Sequence, residues 1–152
     1  MLIVDGTLVP TRDHAVAERS ELPVLNETPV VIDADTRLVV VVGRPLPGNR
    51  NDCNAWELSG ARAAVGNAAV IADGGYRGTG LVIPHRRDPG QSELPAWKQE
   101  HHASHRMVRA RVEHAFARMK TWKILRDCRL KGDGVHHAML GIAHLHNLAR
   151  RD

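Results

Sequence analysis

The stretch VVIDADTRLVVVVG (30–43) places β-branched runs on either side of Asp33-Ala34-Asp35-Thr36. Such runs suit the pleated, half-buried surface of a sheet, and the polar segment between them has turn chemistry. The spacing predicts a hairpin. Upstream, LIVDGTLVP (2–10) reads as a strand that turns or bulges at Asp5-Gly6. Downstream, AAVIADGGYRG (68–78) reads as a buried strand ending at Asp73 and followed by a Gly-Gly turn, with LVIP (81–84) as another short strand.

The remaining segments fill in around this frame. TRDHAVAERS (11–20) reads as a loop or helical turn, and PLPGNRND (45–52) as a loop whose Asn51 or Asp52 caps a helix running to about Gly60. Residues 96–120 and 134–149 carry apolar side chains at three- and four-residue spacings, which predicts two helices. The stretch ELPVLNETP (21–29) holds Pro23 and Pro29. Neither can donate a backbone hydrogen bond, so a short, irregular or missing strand is expected there, a defect beside the Asp5 strand. The order of elements makes this an α/β domain with a mixed sheet.

With 152 residues, 43% of them hydrophobic, the chain suits one domain with a real core, 1–152. No apolar run approaches the roughly 18 residues of a membrane span, and no secretion signal precedes Leu2-Ile3-Val4. Cys53 and Cys128 are far apart, which favours free thiols in a reducing cytoplasm. The net charge of +4 is uneven: residues 1–73 hold 6 Lys/Arg against 10 Asp/Glu, and residues 74–152 hold 15 against 7. A basic second half suits a polyanion such as nucleic acid, although on charge alone a solvated basic face is the better reading.

Asp5 and Asp73 share a context, each ending or interrupting an apolar strand and each followed by glycine. Carboxylates at the ends of strands that could neighbour each other begin to look like a metal site. On the helix RMVRARVEHAFARMK (106–120), Arg109, Glu113 and Lys120 stand on one stripe beside an apolar seam of Val108, Val112, Ala115 and Met119. Taken alone, that stripe reads more simply as a surface ion-pair ladder. The ten histidines include no H-E-x-x-H, and no cysteine stands at ligand spacing, so structural or surface roles are preferred to zinc. Asp52 reads equally as a helix cap or a fourth acid, Asn147 as structural, and Trp97 and Trp122 as core or hinge packing.

The combined pattern VDGT, PGNRND, ADGGYRG, R-x3-E-x6-K and LHNL resembles the DDE transposases of bacterial insertion sequences, in particular the IS-five group, over essentially the whole chain. The resemblance implies a ribonuclease-H-like mixed sheet flanked by helices. It implies that Asp5, Asp73 and Glu113 are catalytic and bind metal, two Mg²⁺ or Mn²⁺ ions about 4 Å apart astride a phosphodiester. It assigns Arg77, Arg109 and Lys120 to the DNA backbone; Arg106 stands where the related signature often has a tyrosine. The partner implied is double-stranded DNA, at insertion-sequence ends and target, with a homodimer left open. Relatives usually carry a helical DNA-binding region before the first catalytic strand. Since Met1 stands four residues before Asp5, the expectation is a catalytic domain without that region, or else a truncated remnant that binds DNA without cutting it.

Overall fold

A computed structural model describes residues 1–11, 24–48 and 51–150. Of the loop or helical turn read over 11–20, Thr11 instead ends a strand, and 12–20, like Pro23, lie outside the described residues. The frame is a mixed sheet of β1 (Leu2–Thr11), β2 (Val24–Asp33), β3 (Val39–Val42), β4 (Leu46–Pro47) and β5 (Val70–Ile71), with the order β3-β2-β1-β5 and β4 also on β2. The 30–43 hairpin forms as β2 and β3, with Val30 opposite Val42 and Val31 opposite Val41. In its turn the Asp33 carboxylate accepts from the Thr36 N–H at 2.8 Å.

Helices α1 (Asp52–Leu58), α2 (Ala61–Val65), α3 (Ala96–Met119), α4 (Lys123–Arg126) and α5 (Gly134–Leu148) complete the fold. Strand alternation divides the sheet's side chains between two cores. On one face Ile3, Val9, Val30 and Ile32 pack with Val112, Phe116 and Met119 of α3 and Met139 and Ile142 of α5. On the other Val4, Val31 and Val70 pack with Trp56 of α1, Ala61 of α2 and Tyr76. A sheet covered by helices on both faces is compatible with the ribonuclease-H-like expectation. Asn147 fastens α5 to β3, accepting from the Val39 N–H at 2.7 Å and donating to the Val39 carbonyl at 2.8 Å.

Three expectations need correction. The first concerns the expected defect: β2 is continuous from Val24 and pairs with β1 at every position from Val24↔Thr11 to Asp33↔Leu2. The Pro29 carbonyl accepts from the Gly43 N–H at 2.8 Å, on the β3 side of the strand. Paired residues exchange both bonds, so a residue's N–H and C=O point the same way. The missing N–H of Pro29 therefore faces the place where β2 changes partner, from Val42 of β3 to Leu46 of β4, and the ladder to β1 loses nothing. Replacing Pro29 with Val should accordingly leave stability within about 1 kcal/mol of the parent. A urea-melting gain well beyond that would restore the idea of a defect.

The second correction is to LVIP, which reduces to a single bridge between Ile71 and Val82, with Ala72 N–H on the Val82 carbonyl and Val82 N–H on the Val70 carbonyl, both 2.9 Å. The third is that Trp97 and Trp122 are not core residues: they are 59% and 48% exposed. No helix among the described residues is long and apolar enough to cross a membrane.

Candidate active site

Parallel pairing of Leu2 with Val70 and of Ile3 with Ile71 sets β1 and β5 side by side in register. Asp5 lies two residues past Ile3 and Asp73 two past Ile71, so the aspartates leave the paired region at the same level. Each uses one oxygen to shape its own turn. Asp5 Oδ1 accepts from the Gly6 N–H at 2.9 Å, and Asp73 Oδ1 accepts from the Gly75 N–H at 2.8 Å, capping the single 3-10 turn Gly74–Tyr76.

Their other oxygens meet at one cation. Arg109 of α3 reaches Asp5 Oδ2 at 3.0 Å and Asp73 Oδ2 at 3.6 Å, both through Nη2. Asp5 follows the strand parity of Ile3 and Val9 and so faces α3. Burial raises its carboxyl above the ordinary range, opposed by the charge of Arg109 and reinforced by that of Asp73.

Glu113 stands one helical turn beyond Arg109, exposed, with no side-chain hydrogen bond or ion pair among the described residues. Arg109 is committed to Asp5 and Asp73, so the ion-pair ladder that the helix alone suggested does not form. Among the described residues no three His, Cys, Asp or Glu side chains are gathered into a ready metal cage. What converges is a pair of aspartates with a positive charge between them, a donor set of oxygens that suits a hard divalent cation.

Of the basic residues, Lys120 is exposed at the end of α3, and it borders a small cavity with Thr7 and Val9. It is about 16 Å along the helix from Arg109. Arg77 is exposed just past the 3-10 turn. The Cys53 thiol of α1 anchors that turn, within 3.2 and 3.1 Å of the Gly75 and Arg77 carbonyl oxygens.

Two features went unread in the sequence. One is an open cleft of about 500 Å³ that starts at Arg109 and is lined by Arg87, Gln99, His102, His105 and Arg106. The run HRRD (85–88) and the helix spacing of Arg106 and Arg109 were visible, but their meeting across a loop was not. The other is Glu27, a residue only 6% exposed, on whose carboxyl Asp52 acts through a side-chain hydrogen bond and its charge. Asp52, read as a cap or a fourth acid, thus stands with the acids, while Asn51 caps α1 by accepting from the Asn54 N–H at 2.8 Å.

Burial first, then the hydrogen bond and charge of Asp52 and the charge of Asp5, push the Glu27 carboxyl up to about 7. Its unfolded value is near 4.5. A raised carboxyl binds its proton more tightly in the native state, so the stability it contributes is complete below the unfolded value. That contribution is lost as pH climbs from about 4.5 through about 7. Thermal midpoints measured across this window should fall less steeply for Glu27→Gln than for the parent; equal slopes would refute the assignment.

Comparison with known proteins follows the same lines. The chain is 77% identical over 150 residues to a Streptomyces albus G protein described as the candidate transposase for insertion sequence element IS112. That alignment covers 98% of this chain and 59% of the relative, so the chain spans about three fifths of the relative's length. No solved structure matches. The transposase DDE domain model matches residues 1–148, a span that takes in both aspartates, Arg109 and Glu113, and the chain belongs to that family.

Proposed function

We propose that this chain is the catalytic domain of an insertion-sequence transposase that cuts and rejoins DNA with the help of a divalent metal. The family implies divalent-metal dependence in general; Mg²⁺ or Mn²⁺, as two ions, is our more specific reading. The observation that carries it is the pairing of Asp5 and Asp73 at one level of adjacent parallel strands, both on the guanidinium of Arg109. An isolated strand-end aspartate is usually a turn residue. Two that share a cation, with Glu113 one turn further along the same helix, are better explained as a site for charge.

In this reading Asp5, Asp73 and Glu113 hold the metal. Metal bound there supplies Lewis-acid stabilisation of charge at a scissile phosphodiester. Little covalent chemistry is left to the protein, so its side chains act by position and charge. The Asp5 and Asp73 carboxylates are oriented by the Gly6 and Gly75 N–H groups, which fix one oxygen of each; the other, which Arg109 holds here, is the one that would coordinate a metal in its place. Arg109 has a second role open to it, because it also lines the basic cleft with Arg87 and Arg106. There it would join Arg77 and Lys120 on the DNA backbone, contacts that position the duplex without reading its sequence.

The direct test is strand cleavage of duplex DNA bearing insertion-sequence ends, with Mg²⁺ or Mn²⁺ and with a chelator. Nicking at the element's end that depends on the metal is expected. Binding without nicking under every metal condition would favour a domain that grips DNA but does not cut it.

A further inference from the structure

Glu27 and Asp52 play no part in the reading above, yet they lie against both catalytic turns. Gly6 sits opposite Pro29 on the β1–β2 ladder, so Glu27, two residues before Pro29, shares its face of the sheet. That is the α1 face, whereas Asp5 faces α3. Glu27 therefore approaches the Asp5 turn from behind, through the space left by a missing side chain: a methyl group at Gly6 would stand 2.5 Å from Glu27 Oε1. Asp52 approaches the other turn in the same way, and a methyl group at Gly75 would stand 1.9 Å from Asp52 Oδ2. The two carboxyls are hydrogen-bonded to each other. A continuous line of contact thus runs from the residue after Asp5, through Glu27 and Asp52, to the turn that Asp73 caps.

A second observation points to the same place. The Tyr76 hydroxyl is fully buried and has no hydrogen-bond partner among the described residues, and Asp5, Asp52, Glu27 and Asp73 all bear on it electrostatically. Burying the Glu27 carboxyl and an orphan hydroxyl is costly, and an apolar filling of the same volume would stabilise the fold better. Stability alone therefore does not account for the arrangement. Packed against each other and each set against the back of one turn, the two side chains link two pieces of backbone from the α1 face, whereas Asp5 points to the α3 face.

We propose that the Glu27–Asp52 pair is a brace that sets the separation of Asp5 and Asp73, so that both are positioning residues of the cation site and not ligands in it. The proposal rests on the assignment of Asp5 and Asp73 as metal-binding carboxylates. The brace predicts that its shape matters and its negative charge does not, since an amide can make the same link.

The test is Mn²⁺ binding to the whole chain without DNA, followed by calorimetry, with circular dichroism confirming the fold of each variant. Asp5→Asn serves as the control for the underlying assignment, and it should weaken Mn²⁺ binding severely. If it does not, that assignment fails regardless of the brace. Glu27→Ala should raise the dissociation constant by about 10- to 100-fold, the usual effect of losing a group that orients a ligand. Glu27→Gln should return it to within about threefold of the parent, well inside that range. Asp52→Ala, which removes the other half of the brace, should weaken binding as Glu27→Ala does, and it carries the test should Glu27→Ala not fold. Parent-like affinity in Glu27→Ala or Asp52→Ala would overturn the brace. So would Glu27→Gln binding as weakly as Glu27→Ala, because the acid would then be a ligand.

Discussion

Asp5→Asn and Asp73→Asn should each lower strand cleavage by on the order of 10²–10³, the scale on which a single preorganised electrostatic group acts in a reaction centre. For Asp5 the accompanying stability change should run the other way. Its carboxyl is raised by burial and by the charge of Asp73, so the folded state carries that anion reluctantly. Asparagine removes the anion and leaves Arg109 with Asp73, so the thermal midpoint of Asp5→Asn should equal or exceed that of the parent. Glu113→Gln should match the loss of cleavage with little change in midpoint, because Glu113 is exposed. Activity that falls while stability holds identifies chemistry; activity that falls only with the midpoint would reduce these residues to structural parts.

The largest structural effect is expected at Trp56. Its side chain is 1% exposed, packed on the sheet with its ring edge-on to Tyr76 at 6.3 Å. Trp56→Ala should cost about 3–5 kcal/mol, the usual range for an aromatic lost from a core. That approaches the whole margin of a small domain, about 5–15 kcal/mol. The loss should reach the candidate site as well, because α1 carries both Asp52 and the Cys53 thiol that holds the Gly75–Arg77 turn. Since Trp56 Nε1 has no hydrogen-bond partner among the described residues, Trp56→Phe gives up contact area alone and should be much milder. Urea denaturation of the two variants checks this, and a cost below about 1 kcal/mol for Trp56→Ala would mean that the α1 face is not the core it resembles.

What could be read from the sequence was local, and what could not was pairwise. The 30–43 hairpin and the long helix beginning at Ala96 were legible because β-branched runs and helical spacing are properties of single segments. Asp5 and Asp73 were legible for a similar reason, each marked by an apolar run before it and glycine after it. Pro29 was misread because the side to which its missing N–H points depends on which strand lies there. The contact of Arg109 with both aspartates was not legible, because helix periodicity does not say which carboxylates a cation will meet. Glu27 stood in the stretch dismissed as irregular, and its partner Asp52 belongs to a different element.

The β1–β5 pairing also has a consequence for how the molecule comes into being. Strands β1, β2 and β3 follow one another along the chain, so they can zip together early through contacts of short sequence separation. β5 must be recruited across the whole intervening chain to meet β1 through only two residue pairs, which makes that encounter entropically dear and its reward small. The neutralising arginine arrives later still in synthesis, on a helix that starts at Ala96. In synthesis β1, β2 and β3 all precede β5 and the arginine's helix, so bringing the two aspartates together waits on the later part of the chain.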